Sequence, residues 1–452
     1  MKENPPAAAV PERKLYRAGT LAYTPLQLVG LFTFLLMGGF CLSFIGAVQG
    51  GGLFTLSLNR FHANAFFISI VLGSIPAALN MIVCPIVSFR SDRTRSKWGR
   101  RKPYILVSVP FIALAIIGVG WAPSFVGPLS AVLGFAPDIV GLGLCGMFIV
   151  AYSFFNMFVG SVYYYLYADV VPESLIGRFN SAFYLVGSGA GVFFNFAIRN
   201  YVADYLPWIY TFVALIVFAG FMVMCLMVRE GEYPPVEETL SPLKATFIYF
   251  KECFASDSFY WWFFTATAMN EVSVLCRSLY NILFATQELH IAEKSYFELM
   301  GYTGILSLVV LLPLGFLVDY FRPIRVYVTG MLLVIATNIY GFFFCHDYPT
   351  FVIISFSLTF VYCIQNASNL PLFIELLPKD RYGQFCSAQA IFRSVIMFVA
   401  NAVAGVFIVW MGSYRYMFVW DAVFTTLALG AVIMVFRGWY RNGGPKHYIA
   451  PR

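Results

Sequence analysis

Ionisable and amide side chains that fall inside long apolar runs need a chemical reason to be there. Glu271 is the only acid near the middle of such a run, and Arg277 follows one to two turns later. Thr267, Asn270, Ser273, Arg277 and Asn281 recur at helical spacing and form one polar stripe, with Glu271 at its edge. Arg393 shares a face with Gln389, and Asp421 stands about one turn inside the last run, close enough to reach an interface. A charge at the bilayer centre costs on the order of 2.5–3.5 kcal/mol even on insertion scales, so a retained one has a function or a partner. Three roles are open to Glu271. Burial and a nearby arginine oppose each other in setting its proton affinity, which suits a group that loads and releases a proton with substrate. The alternatives are a fixed pair with an arginine that only orients helices, and a hydrogen bond to substrate without coupling.

Further polar groups sit in two other runs. Tyr152, Asn156, Tyr163 and Tyr167 lie roughly on one stripe, and Gln365, Asn366 and Asn369 cluster in a later segment. Amides, guanidinium and carboxylate groups suit sugar hydroxyls, and aromatic faces suit the apolar side of a sugar ring. Packing competes with that reading, because aromatics make up 19% of the chain; interhelical hydrogen bonding is the usual alternative for an intramembrane Asn. No HExxH, GxSxG, nucleotide-binding glycine loop or paired acids at hydrolase spacing occur, which argues against an enzyme. His62, His290, His346 and His447 fall between runs or in the tail, and the nine cysteines show no metal-ligand spacing. No metal and no cofactor is expected.

The elements that position these groups follow from composition. Of 452 residues, 60% are hydrophobic and 11% charged, too apolar for a soluble core. A bilayer core of about 30 Å takes about 20 apolar residues per helix. The expected spans are 26–48, 64–89, 103–121, 138–167, 180–200 and 207–228, then 259–285, 297–318, 325–344, 350–375, 384–411 and 416–436. The chain thus reads as an all-α membrane protein of twelve transmembrane helices. Its parts are a tail (1–25), a six-helix bundle (26–228), a central loop (229–258), a second six-helix bundle (259–436) and a second tail (437–452). Of the 29 positive residues, Arg60, Arg199, Lys294 and Arg415 fall on one side, Arg277 and Arg393 within spans, and the rest on the side of the termini. That bias places both termini in the cytoplasm, and the N-terminal stretch lacks the order of a cleavable signal.

The halves also repeat locally. ADVVPESLIGRFNS (168–181), which contains Asp169 and Arg178, aligns with IELLPKDRYGQFCS (374–387), so that Asp169 meets Glu375. SFRSDRTRSKWGRRKP (88–103) corresponds to GFLVDYFRP (315–323), which contains Asp319. Such duplication builds alternating access around a midplane site. In the first loop Asp92 can pair with Arg93 or Arg100, Gly99 permits a tight reversal, and Arg101 extends the basic run.

DRTRSKWGRRKP resembles the loop between the second and third helices of major facilitator proteins. Its long form is similar to that of glycoside–pentoside–hexuronide:cation symporters and plant-type sucrose:proton symporters. Ser88 stands where that pattern has glycine, and the second copy keeps Gly315. The resemblance implies a two-bundle major facilitator fold whose seventh helix lines the cavity, and alternating access gated by Asp92, Arg93, Gly99, Arg100, Arg101, Asp169, Arg178, Asp319 and Glu375. It implies transport of a di- or oligosaccharide or glycoside, with a proton or sodium as coupling ion. Tyr152, Asn156, Asn270, Arg277, Asn281, Asn366 and Arg393 would bind substrate, and Glu271 would couple the proton. Melibiose-type symporters use acids in the second and fourth helices, where this chain has none; the aspartate of sucrose symporters falls at Ser153, while Asn156 matches an asparagine of that pattern. An uncoupled facilitator and a lysolipid or amphiphile carrier of the same fold are the alternatives. A monomer in lipid, in a bacterial inner membrane or a plasma membrane, completes the expectation. The basic cluster lies at the membrane face, so nucleic acid is not expected as a partner.

Overall fold

The computed structural model describes residues 15–231, 257–378, 382–444, 448, 450 and 451. The side chains of Asp92 and Asp319 lie outside the described residues, as do Ser88, Gly315, Gly383, Ser387 and most of the expected central loop. A short hairpin, β1 (Tyr16–Ala18) and β2 (Leu21–Tyr23), precedes α1 (Pro25–Gly50). Thr24 starts α1 because its hydroxyl accepts from the Gln27 amide while the Gln27 side chain reaches back, and Pro25 takes the first turn, where no amide is needed.

The first half continues with α2 (Leu53–Asn59), α3 (Ala65–Ser69), a π turn (Ile70–Ser74), α4 (Ile75–Arg93), α5 (Lys102–Leu133), α6 (Pro137–Val170), α7 (Ile176–Ile198) and α8 (Leu206–Met227). The second half holds α9 (Ser258–Ser273), α10 (Leu275–Leu283), a π turn (Phe284–Glu288), α11 (Glu293–Phe321), α12 (Pro323–Phe344), α13 (Tyr348–Leu376), α14 (Tyr382–Met411) and α15 (Met417–Arg441). Among the described residues, 10 helices are long and apolar enough to cross a membrane. The segment expected as one span over 259–285 is instead broken at Val274 into α9 and α10. The Trp420 indole donates to the Val272 carbonyl near that break (2.8 Å), satisfying a group that lipid could not. The third segment runs longer than expected, as the 32 residues of α5, although it carries Pro110, Pro123 and Pro128.

Packing repeats between the halves. In the first, α1 lies against α7 and α8, α4 against α6, and α5 against α6 and α8. In the second, α9 lies against α14 and α15, α11 against α13, and α12 against α13 and α15. The halves meet where α7 touches α11 and where α14 touches α3, the first π turn and α4. Small residues set the closeness of these contacts. A Cβ on Gly405 would lie 2.8 Å from the Phe66 Cα, and one on Gly304 would lie 2.8 Å from the Val192 side chain.

Among the described residues, hydrogen bonds and ion pairs between the halves gather on the side opposite the chain ends. Thr55 donates to the Leu279 carbonyl (3.1 Å), Tyr280 to that of Ala65 (2.8 Å) and Gln287 to Asn59 (2.8 Å), and Arg199 pairs with Glu298 (2.9 Å). This far side is sealed.

Candidate functional site

Below the seal, a cavity of about 530 Å³ lies between the halves. The first half gives it Gln49 from α1, Asn80 from α4 and Met157 from α6; the second gives it Glu271, Ser278, Arg393, Ser394 and Asn401. Glu271 and Arg393 form an ion pair across α9 and α14 (3.0 Å), with side chains 43% and 36% exposed. Asn80 donates to Ser394 (3.2 Å), joining the halves through a polar contact within the cavity wall. The first π turn brings Gly73 so close to Asn401 that no side chain fits there. An ion pair this wet contributes only about 0–1 kcal/mol, so water, a proton or a ligand can replace either partner at small cost.

The break at Val274 splits the expected polar stripe. Glu271 turns to the cavity, and Asn270 accepts from Gln365 of α13. Thr267 accepts from Gln389 of α14 (3.2 Å). Arg277, one segment later, points away from the cavity: its guanidinium meets Asp421 of α15 (3.5 Å), donates to Asn338 of α12 and covers the Phe418 ring at 4.8 Å. Asp421 is wholly buried rather than reaching an interface, and also accepts from Tyr362 and from Thr425 (3.1 Å). This second pair joins four helices of one half, α10, α12, α13 and α15, which makes it a joint of that half.

At the chain-end side, Asp169 at the foot of α6 accepts from the Nη2 and Nε of Arg100 (2.7 and 3.1 Å) and from the Nε of Arg101 (3.1 Å). Glu230, after α8, accepts the backbone amides of Arg100 (2.8 Å), Arg101 (3.1 Å) and Lys102 (2.8 Å), closing the start of α5 where a helix leaves amides unpaired. Gly99 is required twice over. Its φ is +105°, and a Cβ there would lie 2.5 Å from the Glu230 carboxylate. In the second half the corresponding acid, Glu375, is half-buried and feels Arg322, which takes a φ of +76° in the one-residue link between α11 and α12.

These features have relatives. A family model described as MFS/sugar transport protein matches residues 54–414. The chain belongs to that family. Its fold and family are those of major facilitator transporters, not of enzymes. Over 82 residues it is 40% identical to a sucrose transport protein (SUT1) of Oryza sativa subsp. japonica, and equally to that of subsp. indica; the match spans 17% of this chain and 15% of the relative. Among solved structures, it is similar to a bacterial homologue of the human lysosomal transporter Spinster, in an inward-facing, unoccupied conformation (TM-score 0.63, 14% identity, covering 92% and 97% of the two chains). The nucleoside transporter NupG matches comparably (TM-score 0.63, 13% identity, covering 91% and 99%).

Other residues singled out from the transporter's sequence are dispersed. Tyr152 is buried with its ring against Phe54 (5.0 Å), and Asn156 is half-buried; the Tyr152 hydroxyl and the Asn156 carbonyl oxygen are enclosed without a hydrogen-bond partner. Asn281 donates to Tyr296 (3.3 Å), Asn366 is exposed, and so is Arg178. Of the residues expected to bind substrate, Arg393 alone lines the cavity; Glu271 lines it with Arg393. Sequence reasoning passed over Gln49, Asn80 and Asn401. Each is a lone amide in an apolar run, the same signal that singled out Asn156 and Asn366.

Proposed function

We propose that the chain is a secondary active transporter of a di- or oligosaccharide, working by alternating access in symport with a proton. Twelve spanning helices form two pseudo-symmetric six-helix bundles, both termini lie in the cytoplasm of a bacterial or plasma-membrane host, and the protein acts as a monomer. In that frame the sealed side faces outward and the cavity opens inward. The single observation that carries the reading is the Glu271–Arg393 pair exposed in a cavity between the halves.

The chemistry favours a hydroxyl-rich solute. Gln49, Asn80, Asn401 and Ser278 place polar groups on opposing walls, so a polyol can bridge the halves with hydrogen bonds that the apolar surface of an amphiphile cannot supply. A lone carboxylate beside one arginine suits a proton more than sodium, because a hard cation takes several oxygen ligands. When Glu271 is ionised, Arg393 is held by it. Protonation releases Arg393 to bind sugar hydroxyls, and deprotonation on the inner side recaptures it, so sugar and proton leave together.

The test is Glu271→Gln in proteoliposomes with sucrose. We expect uptake driven by an inward proton gradient to fall at least about tenfold, the loss of about 1.4 kcal/mol of coupling. Exchange of labelled for unlabelled sucrose without a gradient should remain within about twofold. Intact gradient-driven accumulation in this variant would remove Glu271 from coupling.

A further inference from the structure

Below the charged cavity, α1, α6 and α7 enclose a second pocket of about 380 Å³, lined by Ser43, Tyr164, Phe183, Tyr184 and Ser188 among others. Its walls differ from those of the first cavity, whose lining contains no aromatic side chain. Here Tyr164 and Phe183 have ring centroids 5.8 Å apart, and so do Phe183 and Tyr184, while Tyr164 is 45% and Tyr184 58% exposed. Gly187 sets the depth, since a Cβ there would lie 2.7 Å from the Ser43 hydroxyl oxygen. The result is an open set of aromatic faces with hydroxyls at its edge.

Two observations connect this pocket with the interface between the halves and with the first cavity. The face of α7 that carries Ser188 continues one turn on to Val192 and two turns on to Phe196, which sit against Gly304 and Gly301 of α11 where the halves touch. Tyr184 and Ser188 lie two turns and one turn before Val192 on that same face. The two pockets also draw on the same helices, α1 and α6. Ser43 of the lower pocket and Gly46 of the upper are one turn apart on α1, about 5 Å by helical rise, and Tyr164 and Met157 are two turns apart on α6, about 10 Å.

We infer that this pocket is an aromatic subsite for a second pyranose or furanose ring, next to the Glu271–Arg393 cavity and towards the chain-end side. The apolar face of a sugar ring packs on Tyr164 and Tyr184, and its hydroxyls reach Ser43 and Ser188. The upper cavity holds one ring through charge and amides, and the lower holds the next through ring contact, so the pair selects disaccharides over monosaccharides. The inference rests on the sugar reading above.

The experiment measures sucrose uptake by the full chain in proteoliposomes, with methyl α-glucoside as competitor. In Tyr164→Ala and Tyr184→Ala, the KM for sucrose should rise about tenfold while the inhibition constant of the one-ring glucoside stays within about twofold. Tyr184→Phe, which keeps the ring, should recover most of the sucrose affinity lost in Tyr184→Ala, and an unchanged glucoside inhibition constant in the alanine variants guards against a folding defect. An unchanged sucrose KM in both alanine variants would overturn the subsite and leave the sugar reading standing. So would parallel rises in both constants, or a wild type that the glucoside fails to inhibit. A wild type that carries no sucrose and binds neither sugar would overturn the sugar reading, and the subsite with it.

Discussion

Asp421 and Glu271 each face an arginine, yet one carboxylate is wholly enclosed and the other 43% exposed. Removing one member of an enclosed pair strands a charge and costs about 3–5 kcal/mol, whereas an exposed pair is worth about 0–1 kcal/mol. The magnitudes assign Arg277–Asp421 to architecture and leave Glu271–Arg393 free to open. Asp421→Ala should therefore lower unfolding stability in detergent by about 3–5 kcal/mol, and the double variant Arg277→Met with Asp421→Leu should recover most of it. Equal losses in single and double variants would show that the pair does not act as a unit. Which arginine meets which acid was not legible from spacing. Arg277 stands on the same run as Glu271, but the break at Val274 separates them, and Arg393 arrives from a helix more than a hundred positions away.

At the scale of elements, helices were legible and their interruptions were not. Apolar runs of about 20 residues announce spans because lipid leaves no other way to satisfy the backbone. A break such as Val274 carries no glycine or proline; it is held by Trp420 and by packing, which sequence does not display. The loop DRTRSKWGRRKP was recognisable, yet its closing partner Glu230 sits beyond α8 and carries no motif of its own. The contact of α14 with α3 depends on the missing side chain of Gly405, which faces the Phe66 backbone and the Ser69 hydroxyl. Gly405→Val should hold the far side open: a cysteine placed at Asn59 should react with an impermeant thiol reagent several-fold faster than in the Gly405 background, with transport lost. Unchanged labelling would show that this contact does not set the seal.

For the whole molecule, the halves repeat their internal packing and meet through α7 with α11 and through α14 with the α3–α4 segment. The cavity is therefore an interface property: Arg393 of the Glu271–Arg393 pair stands next in sequence to Ser394, which accepts from Asn80 of the first half. On the proposed reading, a sugar spanning Gln49 and Asn80 on one wall and Arg393 and Asn401 on the other would tie their movement to one proton. The most direct measurement is the pH of a lightly buffered outer medium when sucrose is added to vesicles or cells carrying the transporter. The account predicts a sugar-induced alkalinisation, about one proton per sugar, that disappears in Glu271→Gln. Sucrose entry in the wild type with no proton movement would contradict it.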